Sequence, residues 1–545
     1  MARTHVAITV HTRRVALVAL TLFVWAGVGT PARAEHRARL SEDLADHLTA
    51  GSQSIDVMVH GDEATVNTLA SRYNVVVKRR LKSGAVLHVN AGQLDALSRD
   101  ADVDHLSGDI RIQPSDVTTQ SIGADQLWDG GLGDLPALTG DGIAIAVIDS
   151  GIDAKHNALK NRVRYSYDFT GGNGIDKYGH GTHVAATIAG EMGRTSYTRE
   201  YRGVAPEASL INLRVLDDNG VGTVSGVVEA IDWAVEHRAQ YKIRVLNLSL
   251  GAPVLQPYRD DPLCEAVERA VQAGLVVVAA AGNFGRTADG RTILGGTTSP
   301  GNSPHAITVG ALDTHGTARR SDDTVATYSS LGPTRFDLVL KPDLVAPGSR
   351  IVSAEASGSY LSANLPDHHV IGSGPNAYMR LSGTSMATGV VSGSVALLLE
   401  EKPELKPASI KAVLQLTSSF LPDAGVIRGG SGSLNALAAA EFVASSDSLD
   451  SVVNIGGESV RANGVLFVDA TDQQQLLSDH SIAWGQIDTI VWGQIDTIVW
   501  GQIATIVWGQ TDTTLWGQDH TVWGQNATIV WGQNDTVVWG EDFLD

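Results

Sequence analysis

Ile143-Ala-Ile-Ala-Val-Ile-Asp149-Ser-Gly151 decides the fold. Its apolar residues run without alternation, the pattern of a parallel strand covered on both faces. An acid ends the run and a glycine follows two residues on. That puts a polar side chain and a close turn at the carboxyl end of a strand, where open α/β sheets gather their ligands. The pattern recurs: residues 275–281 are apolar and run into Gly282-Asn283, and Asn247-Leu-Ser-Leu-Gly251 closes another apolar strand. Small apolar residues at 184–190, and larger ones at 395–399, read as buried helices. The expected class is α/β, three layers around a mostly parallel central sheet.

Two further motifs carry chemistry. His180 opens His180-Gly-Thr-His-Val-Ala185, and Ser385 lies in Ser382-Gly-Thr-Ser-Met-Ala387. A serine hydroxyl attacks well only when a base takes its proton, and that base needs a carboxylate to orient it and stabilise its cation. Both residues fall at the mouths of the expected buried helices, where the local potential is positive. Alone, an acid after a strand is an N-cap, a histidine is structural, and His180 with His183 reads as a metal pair. The three motifs together outweigh those readings. Their chain order, Asp, His, Ser, is that of subtilisin. With the flanking residues matching as well, the chain resembles the subtilisin-like serine peptidases.

The resemblance implies hydrolysis of peptide bonds through an acyl-enzyme. His180 would serve as general base and then acid, Asp149 as its orienting partner and Ser385 as nucleophile. The Asn283 amide and the Ser385 N–H would form the oxyanion hole. Gly220 and Gly222, with Ser249, Leu250 and Gly251, would bind the substrate main chain as an added strand and wall the first specificity pocket, with Thr298 in its floor. Glycines suit such close approach of main chains. These walls hold no carboxylate, and Phe284 follows Asn283, so apolar or uncharged side chains are expected before the cut. His183 is expected to pack beneath the site.

No cofactor is required for this chemistry, and no metal ligand is assigned. The calcium site common in the family needs an acid shortly after the catalytic Asp, and Ala158 stands there. Calcium takes oxygen ligands, so that site is expected to be missing; other calcium sites stay open. Gly389 stands where relatives usually carry a proline, a change expected to tune the rigidity of the serine helix.

Arg13 and Arg14 precede an apolar stretch, 15–28, that ends at Pro31-Ala-Arg-Ala34. This is the layout of a secretory signal peptide over 1–34, and the run is short of the ~20 residues a membrane span needs. Secretion, or at least an extracytoplasmic location, is expected. Residues 35–118 follow as a small module. Their strand and helix patterns (54–60, 64–73, 74–78, 85–89, 92–99, 109–112) give a β-α-β-β-α-β order, which is ferredoxin-like. That order resembles the inhibitory propeptides of secreted subtilisins, and self-cleavage is expected between Pro114 and Gln120. The catalytic domain is expected over 119–444, with 445–483 as linker or small extension.

The chain has 545 residues, 43% of them hydrophobic, enough for a large core with appended modules. Its net charge of −20 argues against nucleic acid or an anionic membrane as partner; polypeptide substrates and its own propeptide are expected instead. Cys264 is the single cysteine, so no internal disulfide forms despite export. From 484 to 545 the chain repeats Trp-Gly-Gln. Trp484, Trp492, Trp500, Trp508, Trp516, Trp523, Trp531 and Trp539 keep an eight-residue period, with one shorter step before Trp523. An even period holds every repeat in one facing if the chain is extended. The tail reads either as repetitive β, a solenoid or ladder with its tryptophans in line, or as a mobile segment that binds a surface or polysaccharide by stacking. The competing reading for the whole chain is accordingly a surface-binding or structural protein acting through these repeats.

Overall fold

The computed structural model describes residues 37–41, 54–109, 117–130, 135–191, 201–445 and 452–467, with short pieces within 44–48 and backbone strands between 489 and 539. The expected signal peptide and residues 110–116 lie outside the described residues.

The first module holds β1 (Ile55–His60), α1 (Glu63–Tyr73), β2 (Val76–Leu81), β3 (Gly84–Val89), α2 (Ala91–Ser98) and β4 (His105–Gly108). The strands lie in the order β4-β1-β3-β2, antiparallel throughout, with Arg39–Leu40 parallel on the outside of β4. Asp62 caps α1 through Thr65 N at 2.8 Å, and Asn90 with Gln93 closes a reciprocal capping box on α2. Val57, Val59, Leu69, Leu87, Leu94 and Leu106 form its core. The last described strand is His105–Gly108; of the strand expected at 109–112, residues 110–112 lie outside the described residues. Leu106 and Gly108 are the buried positions there, whereas Asp109 is exposed.

The second unit is built on β5 (Ala144–Asp149), β6 (Val163–Asp168), β7 (Ser209–Arg214), β8 (Ile243–Leu248), β9 (Val276–Ala280), β10 (Ile307–Asp313), β11 (Thr324–Val325) and β12 (Leu344–Pro347). Their order is β11-β10-β9-β8-β5-β7-β6, with β12 also beside β10; every pair is parallel except β10 with β11. The helices that matter for the site include α3 (His180–Ala189), α4 (Val224–Tyr241), α5 (Pro262–Gln272) and α6 (Thr384–Glu401). Along β5, Ile145 and Val147 join Val184, Val390 and Val395 in one core. Ala144, Ala146 and Ile148 join Val227, Ile231 and Val267 in the other. A period-two strand buried on both faces between helices gives the three layers. Each such large side chain is worth about 1.5–3 kcal/mol of burial.

Two boundaries move relative to the sequence expectation. Val117 and the short helix Thr118–Ser121 lie largely buried, and the Ile122 carbonyl accepts from Ala436 N at 3.0 Å. Residues from 117 onward are thus packed into the second unit. At the far end, the segment expected as a linker or small extension carries a hairpin, Val452–Ile455 against Glu458–Arg461. Ile455 is fully buried in the main core, and Glu458 accepts from Arg320 N at 2.8 Å. The unit therefore continues at least to Leu466.

In the tail, the backbone strands Thr489–Trp492, Thr505–Trp508, His520–Trp523 and Val537–Trp539 follow Leu466–Phe467 in one parallel sheet. Ile495–Trp500, Thr511–Trp516 and Asn526–Trp531 form a second. The register aligns Trp492, Trp508, Trp523 and Trp539 in one and Trp500, Trp516 and Trp531 in the other.

Candidate active site

Two helices are buried along almost their whole length, and each leaves one residue open. Every residue of α3 is buried except His180. Along α6, residues 384–399 are all buried except Ser385. Both open residues sit in the first turn, at the carboxyl edge of the sheet where β5, β8 and β9 end in Asp149, Leu248 and Ala280.

Asp149 is 1% exposed, and its Oδ1 lies 2.8 Å from His180 Nδ1. Burial pulls the imidazole down, but the Asp149 carboxylate, with a smaller contribution from Asp176, more than offsets it and holds His180 above its ordinary value. With a carboxylate as its partner, Nδ1 carries the proton of the neutral ring, and Nε2 is the nitrogen left unprotonated. His183, one turn on, goes the opposite way. Buried, with Nε2 donating to the Ile351 carbonyl at 3.1 Å, it is pushed down to about 3 and stays neutral. It packs beneath the site, as expected.

Ser385 is held by a reciprocal pair: its Oγ donates to the Ser249 carbonyl at 3.1 Å, and Ser249 Oγ donates to the Ser385 carbonyl at 2.8 Å. Ser249 is held in turn by Asn247 Nδ2 at 2.9 Å, and Asn247 Oδ1 accepts from Ser392 Oγ at 2.9 Å. This chain of buried bonds ties α6 to β8. The Ser385 hydroxyl is thus directed at the Ser249 carbonyl in this arrangement. Asn283 Oδ1 accepts from Thr384 N at 3.0 Å and from Thr384 Oγ1 at 3.1 Å. Both donors claim the oxygen, so the amide nitrogen is the end presented to the cleft. Gly282, at φ +101°, makes the turn that brings Asn283 there.

The expected substrate segments meet at this edge. Gly251 packs so closely on Thr298 that an added Cβ would lie 2.3 Å from its Oγ1, and Ala252 pairs with Ser299 as an antiparallel bridge. Leu250 is half-buried and Thr298 buried. Gly220, at φ +77°, lies against the Tyr178 ring, where a Cβ would clash at 2.5 Å. Gly222 closes on the Val215 carbonyl. Phe284 is 57% exposed beside Asn283. Gly389 has only ordinary contacts around a notional Cβ, 3.5 Å at the nearest, so no close approach demands glycine there. Ala158 is buried and offers its carbonyl to Glu191 N at 2.8 Å, while 192–200 lie outside the described residues. Cys264 is buried, and desolvation pushes its thiol up to about 12, so it is inert.

Sequence reasoning missed Asp176, Ser150, Thr384 and Ser392. Each is a polar residue buried by tertiary packing: Ser150 and Thr384 stand inside the motifs beside Asp149 and Ser385, Asp176 lies four residues before His180, and Ser392 lies further along the same helix as Ser385.

Fold and site together define a hydrolase of the serine-nucleophile class. Residues 140–485 match the subtilase family (Peptidase_S8), and the chain belongs to that family of subtilisin-like serine proteases. It is 39% identical over 306 residues to serine protease AprX of Bacillus subtilis, covering 55% of this chain and 66% of that protein. Subtilisin NAT of Bacillus subtilis subsp. natto is 34% identical over 304 residues, covering 56% and 67%. A solved structure, described as a cold adapted subtilisin-like serine proteinase, is 31% identical and covers 57% of this chain and 95% of its own, with a TM-score of 0.41.

Proposed function

We propose that the chain is a secreted serine endopeptidase, made as a self-processed zymogen. His180 removes the Ser385 proton as the hydroxyl attacks the scissile carbonyl, and Asp149 stabilises the resulting imidazolium. Asn283 Nδ2 and the Ser385 N–H receive the oxyanion. His180 then protonates the leaving amine, and water releases the acyl group by the same steps in reverse. One observation carries this reading. Two buried helices each open a single residue, His180 and Ser385, on the cleft edge that Asp149 and Asn283 also occupy. The segments at 220–222, 249–251 and 298 would take the substrate main chain and its first side chain. No cofactor takes part.

The first module would act as the inhibitor and be cut from the rest in the stretch before Val117, since Thr118–Ser121 is already packed away. The parallel strands of the tail support its repetitive β reading over the mobile, surface-binding one. Expression of residues 35–545 as wild type and as Ser385→Ala, followed by intact mass, tests the proposal. Wild type is expected to lose its first module while the variant stays whole. If neither is processed and folded wild type cuts no unfolded protein, the reading fails and the repeats become the functional part.

A further inference from the structure

Asp176 lies outside the three motifs, yet it is the best-connected side chain beneath them. Only 3% exposed, it accepts four hydrogen bonds. Oδ1 takes Ser150 Oγ at 2.9 Å and Gly179 N at 2.6 Å; Oδ2 takes Thr182 N at 2.8 Å and Thr182 Oγ1 at 2.6 Å. Ser150 works in two directions. Its N–H donates to Asp149 Oδ1 at 2.7 Å, and its Oγ accepts from Gly181 N at 2.9 Å. The two carboxylates are therefore joined through one residue, and both grip the first turn of α3. Gly181 lies so close to β5 that an added Cβ would stand 2.2 Å from the Gly151 carbonyl and 3.1 Å from Asp149.

We propose that Asp176 is a positioning residue for the triad, a second buried carboxylate that clamps the His180 helix to the Asp149 strand and adds negative charge behind the imidazole. The inference rests on the triad reading above. A carboxylate at a helix N-terminus is favoured in any case by the unpaired N–H groups there. What exceeds capping is the cost of burying a second negative charge beside Asp149, which a purely structural cap does not require. The groups facing His180 are Asp149 from β5, Asp176 and Tyr178 from the preceding loop, and His183 from α3. Tyr360 stacks on Tyr178 at 5.7 Å, and α6 contributes only the neutral Ser385. Among these, Asp149 and Asp176 are the anions that raise His180. Burial pushes the Asp176 carboxyl up to about 6 against its four donors, with the Asp149 charge acting the same way. Above that pH Asp176 is ionised; as pH falls through it, the clamp and the field weaken together.

The test is the pH dependence of kcat/KM on a peptide anilide for wild type, Asp176→Asn and Ser150→Ala, with kcat and KM separated. Loss of the anion lowers the His180 pKa, so the acidic limb is expected to move down by about half a pH unit in Asp176→Asn. A drop in kcat of about tenfold with little change in KM is expected beside it. Ser150→Ala removes a donor from Asp176 and should move the limb the same way by less. A limb that stays put in both variants, in an active enzyme, overturns the proposal and leaves Asp176 a plain cap. If Asp176→Asn does not fold, Ser150→Ala alone decides by the same criterion. If wild type hydrolyses nothing, the peptidase reading has failed; NMR titration of the His180 imidazole in folded wild type and variant then still reads the field, and equal pKa values overturn it.

Discussion

The cleft has two halves that are held in place by different physics. Asp149, His180 and Asp176 form an ionic half, where two buried carboxylates flank an imidazole and charge fixes both geometry and proton affinity. Ser385, Ser249, Asn247 and Asn283 form a neutral half, held by hydroxyl, amide and carbonyl groups alone. The difference matches the chemistry asked of each. The ionic half must accept and return a proton, so it needs a tuned base. Under the proposed mechanism the neutral half presents a hydroxyl and a preorganised donor, for which a rigid frame serves. It follows that the ionic half is sensitive to pH and the neutral half to geometry.

Breaking the ionic half should cost most. Asp149→Asn keeps the shape but favours the wrong imidazole tautomer, and kcat is expected to fall about 10⁴-fold with KM nearly unchanged, measured by steady-state hydrolysis of a peptide anilide. In the neutral half, Asn283→Ala removes one oxyanion donor together with the acceptor of Thr384 N and Oγ1, while Gly282 N still donates to Thr384 Oγ1 at 3.2 Å. A fall in kcat of about 10²–10³-fold is expected, with no shift of the acidic limb. A pH shift in that variant would blur the division between the halves.

The smallest effect concerns stability. His183 is pushed down to about 3 when folded and takes a proton near its ordinary value when unfolded. The unfolded chain therefore binds more protons between those values. The His183 contribution is fully present above the unfolded pKa and is lost as pH falls towards 3, by at most about 1.4 kcal/mol per pH unit. His180 acts in the opposite sense, since its folded value is raised. Asp176, raised when folded, also opposes it, so the readout is a difference: in a Ser385→Ala background, which removes self-digestion, urea unfolding should show the stability contributed by His183, taken against His183→Gln, shrinking from pH 6.5 to pH 4.

Much of this was legible in the chain. The unbroken apolar run before Asp149 can hardly be anything but a doubly covered strand, and residues 184–190 and 395–399 are too apolar for any surface. What could not be read was which polar residues these elements would enclose. Asn247 stands in an apolar strand and Ser392 in an apolar helix, 145 residues apart, and nothing local pairs them. The strand at His105–Gly108 is hard to read from the chain because its polar and small residues carry little apolar signal. The hairpin at 452–461 falls in a segment that reads only as linker or small extension because its apolar residues are few, yet Val453, Ile455 and Val460 all reach the core.

Strands, the two helix mouths and the three motif residues can be read from the chain alone, because apolar periodicity and short-range turn chemistry are local properties. Only the tertiary structure decided that Asp176 and Ser150 join the site, that His180 is raised while His183 is lowered, and that Asn283 turns its nitrogen to the cleft. Those outcomes depend on burial and on partners distant in sequence. Two histidines three residues apart differ because one meets a carboxylate and the other a carbonyl.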